Sequence, residues 1–158
     1  MDEKIPPPVV EAARRGDAGA LAMICERLYP RIYRYVSCKV DDLRDAEDIA
    51  GEVFARMLGA IKGQKGDLEA WLFRIAGNVV TDHYRKRAVR FAEVELPEEV
   101  PGGNDPGTAV ERKLDGERLR RGLKALTEEQ RETVILRFVM GYGPDVISVI
   151  NRAAYRGQ

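Results

Sequence analysis

Two consecutive stretches of this chain repeat apolar residues at helical spacing, and they leave little room for any fold but packed helices. The first carries Ala46, Ile49, Ala50, Val53, Phe54, Met57, Leu58 and Ile61; the second carries Leu68, Trp71, Leu72, Ile75, Ala76, Val79, Val80 and Tyr84. Steps of three and four residues place each set on one broad stripe of a helix, which has to be covered by a neighbour. Asp45 and Asp67 stand where side chains cap helix starts, and the run Gly63-Gln-Lys-Gly66 separates the two stripes. Upstream, residues 9–15 read as a short helix stopped at Gly16, with Asp17 capping the next. That next pattern, Leu21, Ile24, Leu28, Ile32, Tyr35 and Val36, contains Pro30, which predicts a kink or break. No comparable stretch alternates with period two, so the expected fold is an all-α helical bundle.

Past residue 90 the text changes. Pro97, Pro101, Pro106, three glycines and five carboxylates fall between Glu93 and Gly107, the composition of a linker. A charged helix is expected from Ala109 to Leu126. Thr127-Glu-Glu-Gln130 then reads as a capping box, in which the threonine and glutamine side chains satisfy each other's free amides. The helix it opens runs through Val134, Ile135, Phe138 and Val139 to Gly141. Pro144, preorganised for a first helical position, begins one more with Val146, Ile147, Val149 and Ile150. The division expected is 10–90 for the bundle, 91–108 for the linker and 109–158 for a partial C-terminal module.

Little in this text offers catalysis. There is one histidine, His83, and no glycine-rich phosphate loop following a strand, so neither an enzyme nor a small-molecule substrate is expected. Cys25 and Cys38 lie thirteen apart with His83 far downstream, which is not a zinc spacing; the expectation is two reduced thiols, with no metal and no cofactor. The first residues lack a basic region followed by an apolar run, and no apolar stretch approaches the roughly 18 residues that span a bilayer. A cytoplasmic protein without membrane insertion is therefore expected.

Formal charge sums to +0, but it is segregated. Asp41 to Glu52 holds six acidic residues and one basic one, whereas Arg85 to Arg90 holds four basic residues and no acidic one. Separate acidic and basic faces suit two different partners. The phrases Asp45-Ala-Glu-Asp-Ile-Ala-Gly-Glu-Val-Phe54, Ala70-Trp-Leu-Phe-Arg-Ile-Ala-Gly-Asn78 and Asp82-His-Tyr-Arg-Lys-Arg87 stand in this order. Together they resemble region 2 of sigma factors of the sigma-70 family, in the compact form of the extracytoplasmic-function (ECF) group. The resemblance covers roughly residues 10 to 90 and implies a transcription-initiation factor with core RNA polymerase and promoter DNA as partners. The family's anti-sigma factors are a further expected partner on the resemblance alone.

Carried over residue by residue, the first phrase implies a polymerase-binding helix with Asp45, Asp48, Ile49, Glu52, Val53 and Phe54. Carboxylates there would steer toward a cationic partner, while the apolar members serve either core packing or the interface. The other phrases imply contacts to the −10 element on the non-template strand, through Asn78, Asp82, His83, Tyr84, Arg85, Lys86, Arg87 and Arg90. Asn78 would open a loop in which flipped bases are held, since an amide can both donate to and accept from a base edge. Tyr84 would either stack on a base or pack inward, and the cations would neutralise phosphates. Trp71 is expected in the core.

From Leu123 to Phe138 and onward the chain resembles the start of sigma region 4, whose helix-turn-helix reads the −35 element. Eight residues follow Ile150, and a three-turn recognition helix needs about eleven. Region 4 is therefore expected to be truncated and −35 recognition impaired, with only Arg152 and Arg156 left for phosphates. Val146, Val149 and Ile150 are expected to lack a packing partner. The competing expectation is an interaction module that sequesters an anti-sigma factor; such a decoy has no need of Arg85, Lys86 and Arg87.

Overall fold

The structure, a computed structural model, describes residues 4–93 and 108–155, and its regular elements are all helical. In chain order these are α1 (Pro7–Arg14), α2 (Ala18–Lys39), α3 (Leu43–Ala60), α4 (Leu68–Glu93), α5 (Thr108–Lys124), α6 (Glu128–Val134) and α7 (Pro144–Tyr155). A 3₁₀ turn, Ile61–Gly63, follows α3, and a π-helical turn, Ile135–Val139, extends α6. Most of residues 91–108, the expected linker, lie outside the described residues.

Local chemistry accounts for most boundaries. Gly16 takes φ +92°, a conformation that releases the chain from α1, and the Asp17 carboxylate then accepts from the Ala20 amide to start α2. Asp67 does the same for α4 through the Ala70 amide at 2.9 Å. Thr127 and Gln130 form the expected reciprocal box at the start of α6. The cap of α3, however, is Asp42 and not Asp45. Its Oδ1 accepts from the Arg44 amide at 2.9 Å, and that amide, followed by the Arg44 side chain, holds the carboxyl below the usual carboxylate range.

Pro30 does not end the second helix, which runs on to Lys39. Pro30 and Glu26 are both exposed, so the carbonyl freed by the missing proline N–H can turn to water. The inner face of α2 (Ile24, Leu28, Ile32, Tyr35, Val36) is buried against α3 and α4, which pack beside each other. Leu72, Phe73, Ala76 and Val79 bring α4 into this core. Trp71, expected there, is half-buried and packs against its edge.

One polar side chain was missed by periodicity. Gln64, 5% exposed, accepts from Arg14 Nε and Nη2 at 3.1 and 2.8 Å, and donates to the carbonyls of Lys65 and Gly66. It thus ties α1 to the turn before α4. Gln64→Ala would strand the buried ends of these bonds, and we expect a loss of about 2 kcal/mol, read as a lower urea midpoint with unchanged slope.

The C-terminal half corrects one expectation. Of the residues expected to lack a cover, Ile150 is buried and Val146 half-buried against the core, with Ile147 buried beside them, because α7 lies along α4 and shares its apolar face with that helix. Their packing partner is thus supplied by the bundle itself. Val149 and Arg152 have side chains outside the described set, as does Arg156 entirely.

Candidate functional site

Helical geometry sorts the acidic phrase into two populations. Asp48 and Glu52, four residues apart, are exposed on one face of α3, with Glu47 also exposed. Ile49 and Val53 are 2% and 0% exposed and belong to the core, so neither is available for direct contact with a partner. The reason is the stripe itself: burying α3 against α2 and α4 consumes those positions. Phe54 is buried at 8% exposure, and its ring meets Tyr29 at 5.7 Å, which in turn stacks on Tyr33 at 6.2 Å. Tyr29 and Leu58 are exposed, and Tyr29 adds apolar surface from α2 beside Phe54 that the acidic phrase does not reveal. Tyr29 lay outside the expected set because it comes from α2, and only the packing of α2 on α3 brings it there.

The two charged phrases, expected to face different partners, are partly bound to each other. Asp45 lies 3.5 Å from His83 Nε2 and 3.8 Å from Arg87 Nη1. The His83 contact lies within ion-pair range for a protonated ring but lacks hydrogen-bond alignment. Arg56, absent from the sequence reading, bridges Glu52 at 2.8 Å and Asp82 at 3.2 Å. These bridges clamp α3 to α4, although their exposure limits each to about 0–1 kcal/mol.

Along α4 the nucleic-acid candidates split likewise. Asn78 is exposed but opens no loop: the helix continues unbroken from Leu68 to Glu93, its ladder needing no residue of special conformation there. Tyr84 is half-buried, and its hydroxyl donates to the Lys39 carbonyl at 3.0 Å, an arrangement that closes the end of α2. Burial, together with the nearby Asp41 carboxylate, pushes its phenol pKa up. Arg85, Lys86 and Arg90 are exposed, while Arg87 is half-buried beside Asp45. The solvent-facing basic strip is thus Arg85, Lys86 and Arg90. Among the described residues there is no cluster of three or more His, Cys, Asp or Glu side chains suited to a metal, and no helix long and apolar enough to cross a membrane.

This arrangement of an acidic, apolar-edged α3 beside a basic-ended α4 coincides with a family match: residues 24–90 fit Sigma-70 region 2. The chain is also 30% identical over 146 residues to the ECF RNA polymerase sigma factor ShbA of Streptomyces griseus, covering 84% of this chain and 76% of that one. The chain belongs to the ECF sigma factors. A second relative, the ECF RNA polymerase sigma factor BldN of Streptomyces coelicolor, is 32% identical over 139 residues, 84% of this chain and 52% of that protein. The chain spans about half of BldN's length. The fold resembles that of CnrH, solved in complex with the cytosolic domain of CnrY, with a TM-score of 0.70 over 95% of this chain and 84% of that one at 19% identity. In this ECF sigma factor the region 2 match takes in most of α2, all of α3 and most of α4.

Proposed function

We propose that the chain is a sigma factor that binds core RNA polymerase and guides it to promoters for recognition and melting. The observation that carries this reading is the pairing, within region 2, of an exposed acidic face on α3 with an exposed basic strip on α4. Asp48 and Glu52 steer toward a cationic polymerase surface, and Tyr29 with Phe54, together with the exposed Leu58, offers apolar area on α2 and α3 for burial. Asp45 contributes by holding His83 and Arg87 in place, and Ile49 and Val53 by keeping α3 rigid. On the other helix Asn78 offers an amide to a base edge, and Arg85, Lys86 and Arg90 offer charge to phosphates of the −10 element. Asp82, His83, Tyr84 and Arg87 position that strip through the contacts with Arg56, Asp45 and Lys39.

Recognition of the −35 element by these 158 residues is weak in this reading. In region 4, α7 would be the first helix of the reading pair, and here its apolar face lies on α4 and not on a second reading helix. An anti-sigma factor is a further partner of the proposed protein; CnrH was solved with the cytosolic domain of CnrY. A module that only sequesters an anti-sigma factor would not need Arg85, Lys86 and Arg90 displayed in solvent, which favours the sigma reading.

The test is a titration of fluorescent protein with purified core polymerase, followed by addition of a fork-junction promoter carrying a single-stranded −10 element. Saturable polymerase binding and a ternary complex are expected. The DNA step should lose affinity with salt at a slope of about −0.7 per phosphate neutralised on the single strand. Arg85→Ala, Lys86→Ala and Arg90→Ala combined should shallow that slope by about two. Folded protein with no affinity for core polymerase, and no DNA binding in its presence, would sink the proposal.

A further inference from the structure

Where the end of α2 meets α4, α5 and α6 there is a pocket of about 260 Å³. Four cations line it, Lys39, Arg120, Lys124 and Arg131, against one carboxylate, Asp41. Two of these charges are cancelled locally: Lys39 pairs with Glu132 and Lys124 with Asp41, each at 2.5 Å. The other two are not. Among the described residues, neither Arg120 nor Arg131 has a carboxylate within ion-pair distance, and both are half-buried. Arg131 is also held in place, since its Nε donates to the Leu123 carbonyl at 2.9 Å and its Nη2 to the Leu126 carbonyl at 3.4 Å. Those bonds fix the guanidinium without neutralising it, so an anion would meet a cation already oriented.

Cys38, in the wall of this pocket, registers its field. Burial pushes the thiol pKa up, and Arg120 and Arg34 pull it back down. The rest of the lining is largely apolar: Val40 and Leu123 are buried, and the ring of Tyr84 is half-buried with its hydroxyl already engaged by the Lys39 carbonyl. Excess positive charge beside apolar surface, in a partly enclosed space, is the lining of a site for a small organic anion.

We propose that this pocket binds a small phosphorylated metabolite, with Arg120 and Arg131 taking the phosphate and Val40, Leu123 and Tyr84 receiving a ring or other apolar part. Planar guanidinium groups with several N–H donors match the oxygens of a phosphate. At about 260 Å³ the space lies just below that of sites for drug-sized molecules, which points to a ligand of mononucleotide size or smaller. The site is separate from the exposed strip of Arg85, Lys86 and Arg90, none of which lines it. An occupant touches region 2 through Lys39 and Tyr84, and the C-terminal half through Arg120 and Arg131. Its binding therefore stabilises the folded arrangement that brings these residues together.

Cys38 reports occupancy, and Cys25, on the same helix but outside the pocket, serves as the reference. The full chain is alkylated with iodoacetamide and both thiols are followed by mass spectrometry. Adenosine monophosphate, inorganic phosphate or adenosine is present, at constant ionic strength. Adenosine monophosphate at about ten times its Kd is expected to slow Cys38 about tenfold relative to Cys25, and to raise the melting temperature. Inorganic phosphate should protect less, and adenosine hardly at all. Arg120→Ala should weaken the protection about tenfold, through loss of a charged donor, and Arg120→Lys by less. Arg121→Ala, on the exposed side of the same helix, should leave it unchanged. Without ligand all three variants should melt with the original chain. No protection by any of the three compounds up to about 10 mM overturns the site. Equal losses in Arg120→Ala and Arg121→Ala overturn it as well, since general screening of charge would produce them. Adenosine protecting as well as its monophosphate overturns the phosphate role. Protection by a single-stranded oligonucleotide, with none by the monophosphate, overturns the small-molecule reading and gives the pocket to a nucleic-acid backbone.

Discussion

Reversing two charges on α3, Asp48→Lys with Glu52→Lys, is expected to weaken binding to core RNA polymerase about a hundredfold, close to 3 kcal/mol. Both side chains are exposed, so the change should not reach the core that Ile49 and Val53 occupy. At position 52 the reversal also sets a lysine beside Arg56, which loses its partner at 2.8 Å and keeps Asp82 at 3.2 Å. The stability cost should nonetheless stay near 0.5 kcal/mol, as for most surface changes. Two features separate steering from unfolding: thermal melting should be nearly unchanged, and the affinity gap should narrow as salt screens the surface. A variant that binds polymerase as tightly as the original chain at low salt would remove α3 from the proposed interface.

The largest effect on stability is expected at Phe73. It is 1% exposed and meets two rings edge-on, Tyr35 at 5.2 Å and Tyr142 at 5.4 Å. One neighbour belongs to α2 and the other follows the π turn of the C-terminal half, so Phe73 packs at the junction of both. Phe73→Ala removes the buried ring and leaves a cavity, for an expected loss of about 3–5 kcal/mol. Against a total near 5–15 kcal/mol, that brings the protein close to its unfolding threshold. Phe73→Leu keeps much of the volume and should cost about 1.5 kcal/mol. Denaturation followed by far-ultraviolet circular dichroism and by the fluorescence of Trp71 checks both. Coincident transitions in the unaltered chain, and separate ones in Phe73→Ala, would mark this ring as the link between the halves. A loss below 1 kcal/mol would contradict its placement.

Much of this molecule was legible in residue order. The stripes from Ala46 to Ile61 and from Leu68 to Val80 specified two helices and most of their inward faces, Leu58 being exposed instead. Asp17, Asp67 and the Thr127–Gln130 box marked helix starts, because a cap acts on amides two or three residues away. Gly141, whose φ is +75°, marked the stop after the α6 stretch and Pro144 the start of the last helix, for equally local reasons. The region 2 phrases, and with them the ECF family, were readable for the same cause, being short strings on single helices.

What residue order left open involves partners distant along the chain. Periodicity states which residues share a face but not what that face meets. Ile49 and Val53 could have been contact residues until α2 and α4 covered them, and Asp45 could have faced polymerase until His83 and Arg87 were found beside it. Pro30 was expected to disrupt α2, yet only its exposure in the packed bundle shows why the helix survives. Asn78 was expected to open a loop, whereas the residues after it continue the helical pattern onto the core. The strongest case is α7, whose apolar residues were expected to lack a cover. Ile150 is buried and Val146 half-buried where α7 packs on α4, and nearby Tyr35 of α2 bonds to Glu132 of α6, residues separated by 97 positions. Hydrophobic burial is non-directional, so an apolar face is satisfied by whichever matching surface the chain can bring to it. Which surface that is depends on the arrangement of every other helix, and the tertiary structure alone decides it.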